Sequence, residues 1–161
     1  MTYKKEIRQM RWLAAMLMLV AAMVVPTTAW AQDSFSYGDF LYSVTSTEPE
    51  NETVEVKSYT GSGVEVNIPG MVENNSVVYS VTSIGNSAFI NNTTITAITG
   101  GENIKEIGTS AFEGCTNLTS VGTLLNNITS ISEKAFYGCT SLKGDITLTS
   151  AITQGSTIPV P

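Results

Sequence analysis

Histidine is absent from the 161 residues, and only two cysteines and eight basic residues are present. Without histidine there is no Ser-His-Asp or Cys-His nucleophile system, and a common zinc ligand is missing. No glycine-rich phosphate cradle is found; Gly61-Ser62-Gly63 has the composition of a hairpin turn. Apolar runs are short. The longest, Trp12 to Val25, has 14 residues, below the roughly 20 that a membrane-spanning helix needs. Lys4, Lys5, Arg8 and Arg11 precede it, with Glu6 among them, and Pro26 stops it. Ala29-Trp30-Ala31 then places small residues at −3 and −1 of a cleavage point. Residues 1–31 are therefore expected to be a signal peptide of bacterial cast. The chain that remains is expected to be exported, and not an integral membrane protein. No cysteine stands at the junction to take a lipid, and no cell-wall sorting motif is visible.

From Gln32 onward four basic residues face thirteen acidic ones, a net charge of −9. Such a surface repels phosphate backbones, so nucleic acid and anionic membranes are not expected partners. Thr, Ser, Asn, Val and Ile dominate this part, a composition of strands and turns.

A repeat organises the second half. Ile84-Gly85-Asn86-Ser87-Ala88-Phe89 recurs as Ile107-Gly108-Thr109-Ser110-Ala111-Phe112, and again as Ile131-Ser132-Glu133-Lys134-Ala135-Phe136. The spacings are 23 and then 24 residues. Three residues after each Phe come Asn92, Cys115 and Cys139; three further come Ile95, Leu118 and Leu142. Before each block lies an apolar-x-x-Ile pair: Val81 to Ile84, Ile104 to Ile107, Ile128 to Ile131. One such segment cannot bury its apolar side chains alone, but stacked coils make a continuous core. The expected coil starts a short strand at Leu118-Thr119-Ser120-Val121 and turns at Asn126-Asn127. It crosses the far side at Ile128 to Ile131, then makes a tight helical turn over Glu133 to Phe136. Phe89, Phe112 and Phe136 should form one core ladder, and Asn92, Cys115 and Cys139 another.

These residues resemble the BspA-like branch of the leucine-rich repeats, whose pattern is L-x-x-I-x-(I/L)-P-x-x-(V/L)-x-x-I-G-x-x-A-F-x-x-C. The stretches Ala111 to Leu118 and Ala135 to Leu142 are the most specific part of the match. The resemblance implies a mainly β fold: about three coils of 23–24 residues with short helical turns, over residues 81–148. It also implies a leading β segment, residues 32–80, which would cap the solenoid. Phe35 to Tyr42, Val64 to Pro69 and Tyr79 to Gly85 fit that segment. The chain departs from the pattern at Asn92, in the missing strand-closing Pro, and at Lys143-Gly144-Asp145, which looks like an insertion. Residues 149–161 would be a tail or an incomplete coil, with no evident cap.

The first half supports this independently. Asp39 to Ser46, Thr53 to Tyr59, Gly63 to Ile68 and Val77 to Thr82 favour strands. Glu48-Pro49-Glu50-Asn51, Gly61-Ser62-Gly63 and Pro69-Gly70 separate them with turn chemistry, so hairpins are expected. Glu48, Glu50 and Glu52 crowd one loop but lack the D-x-D-x-D-G arrangement of a calcium loop.

Cys115 and Cys139 stack in adjacent coils, which leaves three readings open. They are two small buried hydrophobes, a disulfide closed in an oxidising compartment, or a metal or catalytic pair without visible partners. No catalytic residues, cofactor or metal are expected, and no carboxylate pair is placed for glycoside hydrolysis.

A solenoid presents an exposed strand face to partners. By alternation that face would carry Ala97 and Thr99, Ser120 and Gly122, and Asp145 and Thr147. The resemblance implies surface-exposed or secreted proteins, some linked to adhesion. The expectation is a non-enzymatic binding module for an extracellular protein or glycan. The alternative is a passive or self-associating surface component, joined through its open C-terminal edge, or a remnant of a longer array.

Overall fold

A computed structural model describes residues 34–143 of the chain. The expected signal peptide, the tail at 149–161, and Asp145 and Thr147 lie outside these described residues.

The N-terminal part is an antiparallel meander. Strand β1 (Ser34–Tyr37) pairs with β2 (Phe40–Glu48), and β2 with β3 (Asn51–Tyr59). Pro49 and Glu50 close the β2–β3 hairpin, with Glu50 at φ 71°. Proline at the second position and a left-handed residue at the third are the demands of a type II turn. Tyr42, Val54 and Val56 alternate inward from this sheet and are fully buried, as the period of two requires.

After β3 the chain changes its manner of pairing. Strand β4 (Glu65–Ile68) leaves the meander and joins a second sheet, while β5 (Met71–Asn74) and β6 (Val77–Ile84) form another hairpin. The turn between these last two holds Asn75 at φ 51° and Ser76 at φ 64°, the double left-handed conformation of a two-residue hairpin. The hairpin expectation therefore holds for β2–β3, while β1–β2 and β5–β6 are hairpins beyond it. It does not hold for β3–β4, because β4 pairs in parallel with β7 (Ala97–Gly100).

Residues 81–143 stack as coils, here called coil 1 (81–103), coil 2 (104–127) and coil 3 (128–143). Coils 1 and 2 have three walls, and the described part of coil 3 supplies the first and the third. The first wall is a parallel sheet in which β6, β8 (Glu106–Ile107) and β9 (Ser130–Ile131) follow one another, with Ile84, Ile107 and Ile131 in register. The second wall is β4–β7, extended into coil 2 by a single bridge between Ala97 and Ser120. The third wall holds the Ala-Phe blocks.

On this third wall the expected helical turn is replaced by two tight turns joined by a third, in which Ile90, Glu113 and Tyr137 donate to the carbonyls of Ser87, Ser110 and Lys134 at 3.2, 3.1 and 3.0 Å. Ala88, Ala111 and Ala135 each donate an N–H to the carbonyl three residues back, at 3.3 Å. Asn92, Cys115 and Cys139 repeat this bond at 3.1, 3.1 and 3.2 Å. The third residue of the first turn is left-handed in every coil: Ser87, Ser110 and Lys134 have φ of 57°, 55° and 58°. The third residue of the second turn is Asn91, Gly114 or Gly138, at φ 56°, 73° and 76°. The physical reason lies in the intervening N–H groups. Those of Ser87, Phe89 and Asn91 donate to the carbonyls of Thr109, Ala111 and Glu113 at 3.0, 2.8 and 2.7 Å. A helix would consume these donors within its own segment and leave the coils unconnected on this side. Alternating turns keep half of them for the neighbouring coil.

The stack starts earlier than the repeat motif. Val56 of β3 pairs with Ile84, extending the Ile84–Ile107–Ile131 column by one position. Gly85 donates to the Val56 carbonyl at 2.8 Å, as Gly108 does to Ile84 and Ser132 to Ile107. Tyr59 donates its N–H to the Ala88 carbonyl at 3.0 Å, matching Phe89 to Ala111 and Phe112 to Ala135. The Tyr59 ring also stacks on Phe89, with centroids 5.5 Å apart, and Phe89, Phe112 and Phe136 continue at 4.7 and 5.1 Å. Residues 54–68 thus form a leading coil without the motif, supplying all three walls from Val56, Tyr59 and β4.

Candidate functional site

The second wall carries the expected ligand face. In β4 and β7, Val66, Ile68 and Ile98 point inward and are buried. Their neighbours must point outward, since successive side chains of a strand alternate faces. Parallel register then sets two outward rows. Glu65 lies beside Ala97, which bridges to Ser120; Asn67 lies beside Thr99. Thr99 and Ser120 are exposed, and Ala97 is half-buried. Thr99 Oγ1 reaches Asn67 Oδ1 at 3.5 Å, at the limit of a hydrogen bond.

Three points differ from the sequence expectation. Glu65 and Asn67 belong to the face, although they precede the first recognisable repeat. The signal that could have found them is the alternation in Val64-Glu65-Val66-Asn67-Ile68, which matches a half-buried strand. Gly122 is exposed, but it has left the strand: its φ is 48°, and a Cβ there would lie 2.8 Å from the Ile98 carbonyl. Close approach to coil 1 accounts for the glycine. Beyond Ser120 the chain closes into turns, with Leu124 N–H on the Val121 carbonyl at 3.0 Å, so in coil 2 the strand shrinks to one bridge.

The flanks of this face are tied down by side chains that reach back one coil. Thr96 Oγ1 donates to the Val64 carbonyl at 3.3 Å, Thr119 to Thr96 at 2.8 Å, and Thr123 to Gly100 at 3.2 Å. Asn103, Asn117 and Asn127 do the same with their amides, at 3.1, 2.7 and 2.9 Å. These bonds satisfy carbonyls along the coil edges and hold neighbouring coils in register. Much of the Thr and Asn richness therefore serves stacking.

A second surface was not anticipated. The outer side of the first wall bears a shallow groove of about 180 Å³, lined by Glu55, Ser83, Asn86, Glu106 and Ser130 among others. Its lining is polar because Ser83, Glu106 and Ser130 each immediately precede the buried Ile of a coil. The groove holds two carboxylates and no cation.

The core ladders divide in two. Phe89, Phe112 and Phe136 are buried and stacked, as are Cys115 and Cys139 in the neighbouring column. Both cysteines are free thiols. Cys115 Sγ donates to the Phe89 carbonyl and Cys139 Sγ to the Phe112 carbonyl, both at 3.1 Å. The neighbouring thiol and burial together push the Cys139 thiol far above the usual thiol range. Asn92 does not join the core ladder. Its amide is half-buried, and its oxygen accepts from the N–H groups of Thr94 and Ile95 at 3.0 and 3.1 Å. A carboxamide buried beside thiols would leave donors unpaired, so it serves its own coil as a turn cap instead.

Among the described residues, no group of three His, Cys, Asp or Glu side chains could hold a metal ion. No helix among them is long and apolar enough to cross a membrane.

Three-walled coils, a phenylalanine column and an inward cysteine position define a leucine-rich-repeat solenoid. The chain belongs to the BspA-type leucine-rich repeat family: the model of that repeat region matches residues 71–157, in six copies. Solved structures share the fold. A leucine-rich repeat protein from Bacteroides capillosus superposes with a TM-score of 0.60 at 22% identity, over 75% of this chain and 95% of that one. The Treponema pallidum leucine-rich repeat protein gives 0.57 at 24% identity, over 68% of this chain and 48% of that one. A leucine-rich cell surface protein from Faecalibacterium prausnitzii gives 0.51 at 24% identity, over 70% of this chain and 36% of that one. The chain thus spans about half of the T. pallidum protein and about a third of the F. prausnitzii one. No curated protein matches the chain.

Proposed function

We propose that this chain is a non-enzymatic binding module that works outside the cell and engages an extracellular protein or glycan through the β4–β7 face. The observation that carries this reading is the pair of outward rows, Glu65–Ala97–Ser120 and Asn67–Thr99. Their side chains stand clear of the core on a rigid parallel sheet, which is the way solenoids present binding surfaces. The rows are small and polar, with no Trp, Tyr or Arg of the kind that dominates tight interfaces. Single-site binding is therefore weak, and many copies displayed together supply the avidity. The N-terminal leader and the name of the F. prausnitzii relative, a cell surface protein, support export.

The test displays residues 32–161 on beads against cells, matrix proteins and glycans. Binding is expected, and Asn67→Arg with Thr99→Arg is expected to abolish it, while Glu133→Arg on the turn wall leaves it intact. Both substituted positions are exposed, so the fold tolerates them. Failure of the beads to bind any of these surfaces would contradict the reading. Equal loss from Glu133→Arg would move the site off this face.

A further inference from the structure

We propose that Cys115 and Cys139 close a disulfide that staples coil 2 to coil 3, with the coil stack itself setting the geometry. The register is forced by the backbone on either side. Phe112 donates to the Ala135 carbonyl at 2.7 Å and Gly114 to the Tyr137 carbonyl at 2.8 Å. These bonds hold the two cysteine positions one coil apart, roughly 4.8 Å, inside the Cα separation that disulfides bridge. Both side chains are buried in one column of the core.

Parallel columns keep the two Cβ atoms roughly 4.8 Å apart, wider than the usual ~3.8 Å, so closure draws them together by a small local shift. Each S–H gives up only a weak hydrogen bond to a phenylalanine carbonyl. Those carbonyls keep their backbone partners, the N–H groups of Asn92 and Cys115. Pairing is unambiguous, because the chain has two cysteines and coil 1 carries Asn92 at the equivalent place. Burial then shields the bond from reductants: Cys115 is 1% exposed and Cys139 9%.

The same burial screens the folded thiols from reagents and makes them slow to exchange. Closure therefore belongs to the moment before coil 3 seals, in the presence of a small-molecule or protein disulfide. The Cys139 thiolate attacks one sulfur of that reagent, forming a mixed disulfide and expelling a thiolate. The Cys115 thiolate then attacks the Cys139 sulfur and expels the second. Two protein thiols become one disulfide, the reagent's disulfide becomes two thiols, and the two protein protons pass to the departing thiolates.

The test unfolds the protein and refolds it in a buffer of oxidised and reduced glutathione, beside a portion refolded in excess reductant. The expected product is a monomer about 2 Da lighter, with a peptide joining Cys115 to Cys139, since exchange removes two hydrogens. Its unfolding constant in urea should be lower than that of the reduced portion by up to roughly 300-fold, as closure of a loop of this length implies. Cys139→Ser should refold to a midpoint indifferent to the oxidant. Both thiols remaining free at equilibrium, or glutathione adducts in place of the internal bond, would overturn the proposal. So would a bond that forms but lowers the urea midpoint, because the parallel columns would then strain it. The comparison of oxidised with reduced portions needs no variant to fold.

Discussion

Residues 34–80 and residues 81–143 bury their apolar side chains by different means. The first region pairs strands mainly antiparallel and fills its interior with aromatic contacts: Phe35 to Tyr42 and Tyr79 at 5.7 and 5.6 Å, and Phe40 to Tyr42 at 5.8 Å. The second stacks equivalent residues in parallel, so that isoleucine meets isoleucine and phenylalanine meets phenylalanine. The two regions meet in one element. Strand β3 is antiparallel to β2 on one side and parallel to β6 on the other. Its outgoing end supplies Val56 and Tyr59 to the columns of the repeats. The leading region is thus a cap in which β3 already enters the coil stack. An N-terminal edge that would otherwise face water is paired by this means.

Substitutions can separate the two regions, beginning with the largest effect. Phe112 lies between two stacked rings and is fully buried. Phe112→Ala should cost about 3–5 kcal/mol, as buried aromatic truncations do, and urea unfolding should show the loss across all coils. Tyr59→Ala comes next. The ring is half-buried, stacks on Phe89, and accepts the Gly63 N–H at 3.0 Å. A cost of about 2 kcal/mol is expected, and fluorescence and circular dichroism should report one shared transition. Two transitions would break the continuity of cap and coils.

Alkali should loosen the leading region. Burial raises the Tyr42 phenol above its usual 10.0. A group whose pKa is raised by folding contributes fully below its unfolded value and loses that contribution as pH climbs past it. Stability should therefore fall above pH 10, as urea midpoints across this range would show. Tyr42→Phe should remove this fall. The Tyr42 hydroxyl is buried without a hydrogen-bond partner, so this variant should match or exceed the parent at neutral pH, by up to about 1 kcal/mol. The smallest effect is expected at the β5–β6 turn. Ser76 holds φ 64°, and Ser76→Gly should stabilise by about 0.5 kcal/mol by relieving that conformation.

The contrast between the regions also explains what was legible in the sequence. Three coils announce themselves because equivalent residues recur at 23 and 24 positions. The leading coil does not, since Val56 and Ile84 stand 28 residues apart with a hairpin between them, and Tyr59 replaces the phenylalanine. Strand β5 was missed because Met71-Val72-Glu73-Asn74 is short and lies between two turn-forming pairs. The left-handed residues of the third wall are Ser87, Ser110 and Lys134. None of these is a glycine, so nothing in their identity distinguishes a pair of turns from a helical turn. On the candidate face, Ala97, Thr99 and Ser120 followed from alternation. Glu65 and Asn67 did not, because their place depends on a parallel pairing between residues 32 positions apart.

Native-state hydrogen exchange tests the continuity of cap and coils most directly. The N–H groups of Tyr59 and Gly85 bond between the leading coil and coil 1, and those of Phe89 and Phe112 bond between later coils. A single stack predicts that all four exchange by the same opening, with free energies that converge as denaturant is added. Exchange of Tyr59 and Gly85 through a separate, lower-energy opening would show that residues 34–59 dock against the repeats without forming their first coil.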